Sequence, residues 1–461
     1  MLRLFNHYFP SGAVYQVLID VLVLFFAILL AAFYFGGEAA ATMTSVVPSA
    51  LVFAVVMMAL SSALGIYGSH RDASFRDLLA RIVLTVLFSV PVAWGVFRML
   101  PWGGERFQAL DVTVIMLLGG VLFVRGVSRR TGAASMWRRR VLVIGTGREA
   151  ASVEYSLTHP HHPGLSIVGF LSVPGGDESL VHPSRVLPSG RSLLETARAL
   201  DADEIIVAVR ERRGGTLPLS ELLDCKLSGI KVLDLPCFFE RVRGQVRLDS
   251  LRASWLIYGE GFRQGTLRTM IKRVFDVVAA LTLLTLASPI MLLAVIAIAI
   301  EDGFPVLYRQ ERVGQGGRLF KVIKFRSMWR DAEKDGKPRW ASANDNRATR
   351  VGRIMRKTRI DELPQLFNVL MGQMSLVGPR PERPFFVDQL TNEIPFYAVR
   401  HSLKPGVTGW AQVRYQYGAS VDDAVQKLQY DLYYVKNHTL FLDMMVLAET
   451  VRVVMTGEGA Q

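Results

Sequence analysis

Lys272-Arg273-Val-Phe-Asp276 leads directly into an apolar stretch, residues 277–300, whose middle is Ser288-Pro289. As a straight helix the stretch would cross the roughly 30 Å hydrocarbon layer of a membrane, which takes about 20 residues. The proline removes one backbone hydrogen bond and clashes with the carbonyl four residues earlier, and the serine hydroxyl is able to bond that carbonyl. We therefore expect a re-entrant helix that enters and leaves the membrane by the same face.

Four more apolar stretches open the chain, at residues 14–35, 46–67, 82–100 and 110–124. Arginines follow the second and the fourth stretch, which by the positive-inside rule puts both ends of the bundle in the cytoplasm. The first ten residues carry little positive charge, and no small-residue cleavage site precedes the first stretch, so we expect a retained helix. The sequence predicts a four-helix transmembrane bundle over residues 1–130.

The bundle decides between re-entry and a fifth crossing for residues 274–300. A fifth crossing would place the following basic segment outside the cell, against the positive-inside bias. That segment contains Arg309, Arg312, Arg318, Lys321, Lys324 and Arg326. Re-entry keeps it in the cytoplasm and is the topology we favour.

Bulk composition agrees with a membrane protein that has substantial polar domains. The 461 residues are 51% hydrophobic, with 53 Lys and Arg against 40 Asp and Glu. Such an excess of positive charge suits anionic lipid or a phosphorylated substrate. Nucleic acid is not expected as a partner, because no recognised nucleic-acid module is present. The two cysteines, Cys225 and Cys237, suggest a reducing setting and are expected to be buried, inert thiols.

An α/β domain begins at Val141-Leu-Val-Ile-Gly145-Thr-Gly147-Arg-Glu-Ala150, an apolar strand that runs into a glycine turn and a helix. Further strands are predicted at 166–171, 204–209 and 230–233, with a helix at 192–200 between them. Together they predict a small Rossmann-like (CoA-binding-like) parallel α/β domain over residues 138–260. The glycine turn either binds a nucleotide or is only a tight turn, because Ala150 replaces the third glycine of the fingerprint. The histidines at 159, 161 and 162 favour a solvated loop over a metal site.

Two adjacent carboxylates stand in Arg356-Lys-Thr-Arg-Ile-Asp361-Glu362-Leu-Pro364-Gln365. Taken alone, the pattern is typical of a helix start, where acidic residues match the helix dipole and proline needs no N–H. The same positive helix end attracts phosphate, so the two interpretations are compatible. Residues 440–455 form a last apolar stretch, which predicts either an amphipathic helix on the membrane or burial against the core.

The runs between residues 308 and 443 resemble the polyprenyl-phosphate sugar-phosphate transferases of bacteria, the monotopic phosphoglycosyl transferases. They are Tyr308-Arg-Gln-Glu-Arg-Val-Gly314, Lys324-Phe-Arg326-Ser-Met328, the Asp361-Glu362 segment, Ser375-Leu-Val-Gly-Pro-Arg380-Pro381, Lys404-Pro-Gly-Val-Thr-Gly-Trp410, Tyr430-Asp-Leu-Tyr-Tyr434 and Phe441-Leu-Asp443. The resemblance implies a mainly α catalytic domain over residues 266–461. The amino-terminal half resembles the large members that start exopolysaccharide or O-antigen repeat units.

The resemblance implies transfer of a sugar 1-phosphate from a UDP-sugar to undecaprenyl phosphate, with release of UMP. Asp361 matches the nucleophile that forms a phosphosugar-aspartate, and Glu362 either supports Mg²⁺ or accepts a proton. Arg356 matches the arginine near phosphate, and Lys324, Arg326 and Arg380 are candidate clamps for the diphosphate, since guanidinium groups suit bidentate contacts. Mg²⁺, tentatively held by Asp361 and Glu362, is the expected cofactor because it prefers hard oxygen ligands.

These expectations describe a multi-pass protein of the bacterial inner membrane whose catalytic domain is cytoplasmic. A homodimer through the membrane helices or the α/β domain is also expected. UDP-glucose and UDP-galactose are donors that the family makes common, and the sequence does not choose between sugars. The competing hypotheses are a non-catalytic membrane scaffold or sensor, in which the carboxylates are dispensable, and a transferase whose active domain lies outside, in which residue 339 is accessible from the periplasm.

Overall fold

The computed structural model describes residues 2–4, 7–9, 11–35, 43–63, 138–158, 164–173, 178–188, 190–209, 217–249, 265–330, 347–415 and 420–456, with a few single positions between them. The chain forms two compact units. The first contains Met1–Leu4 and Tyr8–Phe238, and the second contains Phe5–His7 and Phe239–Gln461.

The amino-terminal end contains two of the predicted apolar helices. Strands β1 (Leu2–Leu4) and β2 (His7–Phe9) precede helices α1 (Ser11–Phe35) and α2 (Met43–Ala63). Both helices coincide with predicted apolar stretches, and apolar runs at Val17–Leu30 and Val46–Met58 lie within them. The third and fourth predicted stretches, 82–100 and 110–124, lie almost wholly outside the described residues, so the four-helix bundle stays a prediction.

A five-stranded parallel sheet follows, as the sequence predicts. Its elements are β3 (Arg139–Ile144), α3 (Arg148–Thr158), β4 (Leu165–Leu171), β5 (Val186–Leu187), α4 (Leu193–Ala199), β6 (Glu204–Val207), α5 (Leu219–Leu227), β7 (Lys231–Asp234) and α6 (Leu235–Arg243). The strand order is β5-β4-β3-β6-β7, with every pair parallel. Four consecutive residues of β3 are buried, which explains its continuous apolar run.

Gly145, at the end of β3, is required by backbone packing. Its φ of +112° suits glycine, and a Cβ there would lie 2.5 Å from the carbonyl oxygen of Ala208. The glycine is therefore explained without a nucleotide, which favours the tight-turn interpretation. The histidines at 159, 161 and 162 lie outside the described residues.

The two cysteines differ in their surroundings. Cys225 is buried in the core of the α/β domain, and burial raises the pKa of its thiol above the ordinary value. Cys237 is exposed. The prediction of two buried thiols is therefore wrong for Cys237, which is exposed in α6 although its neighbours Pro236 and Phe238 are buried.

Helix α7 (Thr266–Asp302) has 37 residues and is the one helix in the described part of the chain that is long and apolar enough to cross a membrane. It runs through Pro289 without interruption. The Ser288 hydroxyl donates to the carbonyl oxygen of Thr285 at 2.8 Å, the carbonyl that Pro289 leaves without its usual N–H donor. Apolar side chains such as Leu286 and Leu293 are exposed along its middle. The predicted bond of the serine hydroxyl is confirmed.

The remainder of the second unit is mainly helical. Its elements are β8 (Leu307–Val313), β9 (Leu319–Phe325), α8 (Arg350–Thr358), α9 (Gln365–Leu370), β10 (Ser375–Val377), α10 (Pro384–Glu393), β11 (Gly406–Thr408), α11 (Trp410–Arg414), α12 (Val421–Asn437) and α13 (Leu440–Thr456). Strands β8 and β9 form an antiparallel hairpin, and β10 pairs with β11 in parallel. Leu442 and Val446 bury one face of α13 in the core, while Met444 is exposed.

Candidate active site

The carboxylates of Asp361 and Glu362 lie in a short 3-10 turn between two helices. The turn, Ile360–Glu362, follows α8 and precedes α9, which begins after Pro364. Both side chains are buried, with 8% and 7% exposed. Two neighbouring buried carboxylates repel each other, so the surroundings must supply compensating charge.

Glu362 is surrounded by cations. Its Oε1 accepts a hydrogen bond from Lys324 Nζ at 2.8 Å and from Arg380 Nη2 at 3.0 Å. Nη1 of Arg359 lies 3.9 Å from the same oxygen. Burial by itself would raise the pKa of Glu362, but the charges of Lys324, Arg380 and Arg359 outweigh burial and hold that pKa well below its ordinary value. Glu362 is therefore a permanent anion at neutral pH.

Asp361 has the opposite electrostatic environment. Burial and the neighbouring charge of Glu362 raise the pKa of Asp361 to about 6, although nearby cations act against the rise. Its Oδ1 is buried and has no hydrogen-bond partner among the residues that the structure describes. A buried carboxylate oxygen without a partner is costly unless it has a ligand to bind. Asp361 thus has an oxygen available for a phosphorus atom or a cation.

Arg380 is positioned by a close backbone approach between strand β11 and the residues that follow β10. Gly378 donates its N–H to the carbonyl oxygen of Thr408, and Gly406 donates to that of Pro379. A Cβ on Gly406 would lie 2.1 Å from the Gly378 nitrogen, so this approach needs glycine. The packing fixes residues 378–380, and with them the start of the Arg380 side chain.

The other two predicted phosphate ligands lie elsewhere. Arg326 binds the end of α7, donating to the carbonyl oxygens of Asp302 at 2.9 Å and Gly303 at 2.6 Å. Its Nε and Nη1 are buried and have no hydrogen-bond partner in the described part of the chain. Arg356 is half-buried in the last turn of α8 and forms no ion pair with any residue that the structure describes. The structure brings Lys324 and Arg380 to Glu362 but does not bring Arg326 or Arg356 to it.

The polar residues before the apolar stretch attach α7 to the rest of the second unit. Lys272 Nζ donates to Asp443 Oδ2 at 2.7 Å, and Arg273 donates to the carbonyl oxygens of Val369 and Leu370 at 2.6 and 2.8 Å. Separately, Asp276 accepts bonds from the Ser375 hydroxyl and the Leu376 N–H, at 2.8 and 3.2 Å. These residues have a structural explanation that is independent of substrate.

The carboxylates of Asp361 and Glu362 are the donor groups present for the expected Mg²⁺. No group of three or more His, Cys, Asp or Glu side chains suitable for a metal occurs in the described ranges. Mg²⁺ commonly uses only one or two carboxylates together with substrate phosphates and water. Asp361 and Glu362, with the unpartnered Oδ1 of Asp361, fit that mode of binding.

Comparison with known proteins identifies the second unit. The family described as Bacterial sugar transferase matches residues 267–457. The UDP-N-acetylgalactosamine-undecaprenyl-phosphate N-acetylgalactosaminephosphotransferase of Aeromonas hydrophila is 44% identical over 240 residues, 52% of this chain and 56% of the relative. The UDP-glucose:undecaprenyl-phosphate glucose-1-phosphate transferase of Caulobacter vibrioides is 45% identical over 193 residues, 41% of this chain and 71% of the relative. The chain belongs to the bacterial sugar transferase family.

A relative from Klebsiella pneumoniae extends the likeness over both units. This UDP-glucose:undecaprenyl-phosphate glucose-1-phosphate transferase is 29% identical over 415 residues, 87% of each chain. Against the Aeromonas protein, by contrast, the chain spans little more than half of the relative's length. Family membership makes the protein an enzyme of the transferase class.

The sequence did not single out two arginines that bear on the transferase site. Arg359 precedes the Ile360–Glu362 turn in a left-handed conformation that no local pattern signals. Arg400 donates to Asp431 Oδ2 at 3.0 Å and to the carbonyl oxygen of Arg380 at 3.0 Å. In the second contact the acceptor is a backbone carbonyl 20 residues away, so no pattern of side-chain types in the sequence could predict it.

Proposed function

We propose that the protein transfers a sugar 1-phosphate from a UDP-sugar to undecaprenyl phosphate, giving undecaprenyl-diphosphate-sugar and UMP. The names of the Aeromonas, Caulobacter and Klebsiella relatives support this donor and acceptor class. The observation that carries the proposal is the buried, unpartnered Oδ1 of Asp361 beside a carboxylate held by three cations. A phosphorylated substrate would supply both the electrophile and the negative charge that these groups accept.

Asp361 is the proposed nucleophile. An Oδ atom attacks the sugar-proximal phosphorus, the P–O bond to the α-phosphate breaks, and UMP leaves with that bonding pair. An oxygen of undecaprenyl phosphate then attacks the phosphosugar-aspartate and releases Asp361. Each half-reaction exchanges one anhydride for another, so the overall step is nearly balanced.

The cations around Glu362 serve the same reaction. Lys324 and Arg380 stand within 3.0 Å of Glu362, and a phosphate oxygen entering beside them finds preorganised positive charge. Glu362 keeps these side chains assembled when no substrate is bound. Mg²⁺, when bound at the two carboxylates, supplies further neutralisation of the diphosphate.

We propose an inner-membrane, multi-pass location with a re-entrant α7. Arg273 bonds Val369, and Glu301, near the far end of α7, accepts bonds from the backbone N–H groups of Arg350 and Val351. A straight helix would separate residues 273 and 301 by about 42 Å at 1.5 Å per residue. Their partners belong to the single short segment 350–369, in which two short helices are joined by the Ile360–Glu362 turn. This arrangement supports a helix whose two ends lie on the same side of the membrane.

The reaction is tested by UMP release from purified protein with undecaprenyl phosphate, Mg²⁺ and a panel of UDP-sugars. The panel contains glucose, galactose and N-acetylgalactosamine donors. We expect release that needs lipid and metal and falls by at least about 10³-fold in Asp361→Asn, the scale of losing a covalent nucleophile. Asp388→Asn, an exposed aspartate on α10, is the matched control. Undiminished release in Asp361→Asn would exclude the nucleophile, and no release with any sugar would favour the scaffold hypothesis.

The covalent step has a separate readout. Without lipid acceptor, the enzyme should release at most one UMP per active site and gain the mass of a sugar phosphate on the peptide that contains Asp361. Continuous turnover without acceptor, or a direct transfer without the mass increase, would contradict the two-step route.

Topology is tested with a single cysteine at position 339 in a background where Cys225 and Cys237 are replaced by serine. We expect labelling by a membrane-impermeant maleimide in inverted vesicles and protection in intact spheroplasts. The reverse pattern would place the catalytic unit outside the cell.

A further inference from the structure

The outer edge of strand β9 is bonded by a side chain. Among the described residues the sheet of β8 and β9 has two strands, so no third strand bonds β9 there. Asn368 of α9 bonds it instead. Its Nδ2 donates to the carbonyl oxygen of Lys321 at 2.8 Å, and its Oδ1 accepts from the N–H of Ile323 at 3.0 Å. A carbonyl and the N–H two residues later point to the same side of a strand, where a neighbouring strand would bond them.

The Asn368 amide is itself held firmly. The side chain is fully buried, and its Nδ2 makes a second hydrogen bond, to Gln373 Oε1 at 2.8 Å. The backbone carbonyl of Asn368 accepts from the N–H groups of Gln373 and Met374, at 3.0 and 3.2 Å. Because a carbonyl only accepts and an N–H only donates, the two β9 groups also determine which way the amide points. Both ends of this buried amide are thus used.

The segment that carries Asn368 also carries the catalytic carboxylates. Helix α9 follows the Ile360–Glu362 turn. Lys324 is the residue after Ile323 on β9, and its Nζ donates to Glu362 Oε1 at 2.8 Å. The turn and α9 therefore contact β9 in two ways, through the Lys324–Glu362 ion pair and through the Asn368 amide. Of these two contacts, only the amide bonds the backbone of β9.

The place of the Lys324 ammonium decides the charge at the site. Burial raises the pKa of Glu362, and Lys324 is the largest of the charges that lower it, ahead of Arg380 and Arg359. A lysine side chain is a flexible four-carbon stem, so its ammonium returns to one place more often when the backbone below it is fixed. The two Asn368 bonds fix that backbone immediately before Lys324.

We infer that Asn368 is a positioning residue for the transfer reaction: its amide fixes β9 so that the Lys324 ammonium lies at Glu362. The inference rests on the proposed function, because it takes Lys324 as one of the cations that act on the diphosphate. Asn368 acts through Lys324 and contacts no reacting atom.

The competing explanation is that Asn368 only stabilises the fold. A buried amide with all its hydrogen bonds does so in any protein, and a loss of activity in one variant would not separate the two explanations. A double-variant cycle with Lys324 separates them. If Asn368 acts through Lys324, replacing it costs little more once the lysine is gone, whereas independent effects multiply.

The experiment uses the full-length protein in detergent and measures kcat/KM for UMP release at a temperature below the lowest Tm of the series. The four proteins are the wild type, Lys324→Met, Asn368→Leu and the double variant, because leucine is similar in size to asparagine and makes no hydrogen bond. The donor is the UDP-sugar that the panel identifies, with Mg²⁺ and undecaprenyl phosphate. Asn437→Leu, alone and with Lys324→Met, is the matched control. Asn437 is a buried asparagine whose Nδ2 donates to Glu240 and to the carbonyl oxygen of Tyr433.

We expect Lys324→Met to lower kcat/KM by roughly 10–100-fold, the effect of losing a hydrogen bond to a charged group. Asn368→Leu should lower it by about 5-fold or more in the wild type and by less than about 2-fold in the Lys324→Met background. Asn437→Leu should change it by the same factor in both backgrounds. Gln373→Ala, at an exposed residue, removes one acceptor of the Asn368 amide. It should give a smaller loss that also disappears in Lys324→Met, and it serves in the cycle if Asn368→Leu does not fold.

The same cycle in thermal unfolding needs no substrate. Lys324→Met should lower the Tm by less in the Asn368→Leu protein than in the wild type, because the ion pair with Glu362 is already weakened there. Equal losses of Tm in the two backgrounds would contradict the inference. Equal factors of kcat/KM loss would overturn it too, and so would wild-type kcat/KM in Asn368→Leu.

Failure of the proposed function has a different signature. Undiminished UMP release in Asp361→Asn would exclude the nucleophile and leave the cycle between Asn368 and Lys324 valid. Undiminished release in Lys324→Met would remove Lys324 from the reaction and overturn the inference, while the result with Asp361→Asn would still decide the nucleophile.

Discussion

Replacing Arg400 with methionine tests whether a buried ion pair stabilises the second unit and positions Arg380. Arg400 and Asp431 are 5% and 2% exposed. Nε and Nη2 of Arg400 lie 3.0 and 2.7 Å from Asp431 Oδ2, and Nη1 donates to the Tyr397 hydroxyl at 2.8 Å. Nη2 also donates to the carbonyl oxygen of Arg380 at 3.0 Å. Methionine keeps much of the apolar volume and supplies none of these donors.

The size of the effect follows from what the change leaves behind. Without Arg400, Asp431 is a buried carboxylate that has lost its counterion. Breaking a buried pair by removing one partner costs about 3–5 kcal/mol. For a domain of the size of the second unit, each kcal/mol lowers the Tm by about 2–4 °C, so a decrease of roughly 6–20 °C is expected. The double variant Arg400→Met/Asp431→Leu removes both charges and should recover most of this loss.

Thermal unfolding of the purified full-length protein, followed by intrinsic fluorescence, measures the effect. Arg353→Met, at an exposed arginine of α8, is the control and should change stability by less than about 0.5 kcal/mol. UMP release should also fall in Arg400→Met at temperatures below its Tm, because the backbone of Arg380 loses a contact. A loss of less than about 1 kcal/mol in Arg400→Met would show that the buried pair does not stabilise the second unit. A loss in the double variant as large as the losses of Arg400→Met and Asp431→Leu added together would show that the two side chains are not coupled.

Three further predictions concern other buried groups. Glu240→Ala removes the acceptor of the Asn437 amide, 2.9 Å away, and should lower the free energy of unfolding by about 1–3 kcal/mol. Residue 240 precedes the part of the chain that the family matches, residues 267–457. An unchanged Tm would show that Glu240 does not belong to the folded core of the second unit. Asp276→Ala leaves the Ser375 hydroxyl without its acceptor and should lower the Tm by a similar amount, whereas a wild-type Tm would mean that this bond adds nothing. Burial lowers the pKa of His438 from 6.5 to about 4, so the folded state resists protonation. The contribution of His438 to stability should fall by up to about 3 kcal/mol as the pH drops from 6.5 towards 4. It is measured as the change with pH of the difference in stability between the wild type and His438→Gln, and a difference that is constant with pH would contradict it.

The parallel sheet could be predicted because each of its longer strands is indicated by a short continuous stretch of sequence. The run at 141–144 is a continuous apolar segment followed by a glycine turn, and β4, β6 and β7 lie within one or two residues of the predicted strands. Strand β5 has two residues and no periodicity, so the sequence offered nothing to detect. Cys237 is exposed because of the way α6 packs against the core. The number of cysteines in the chain does not predict which side of a helix packs inward.

The site could be predicted only in part, because its charges come from distant segments. The Asp361-Glu362 pair is visible in the chain, but its partners Lys324 and Arg380 stand 38 and 18 residues from Glu362. Side chains two residues apart on a strand lie on the same face, so the spacing predicts that Lys324 and Arg326 lie together. Even so, Arg326 lies one residue beyond β9 and bonds the end of α7, because two backbone carbonyls there accept from it. Such tertiary contacts cannot be inferred from spacing alone.

The opposite environments of the two adjacent carboxylates bear on how they divide the work. A group whose pKa is about 6 is mostly ionised at neutral pH, so Asp361 can act as a nucleophile while it keeps some basicity. Glu362, whose pKa is held low by Lys324, Arg380 and Arg359, is a poor proton acceptor. The proposed reaction needs no such acceptor, because its second nucleophile is a phosphate oxygen that is already anionic. Of the two roles expected for Glu362, its surroundings therefore disfavour proton acceptance, and support of Mg²⁺ stays a prediction.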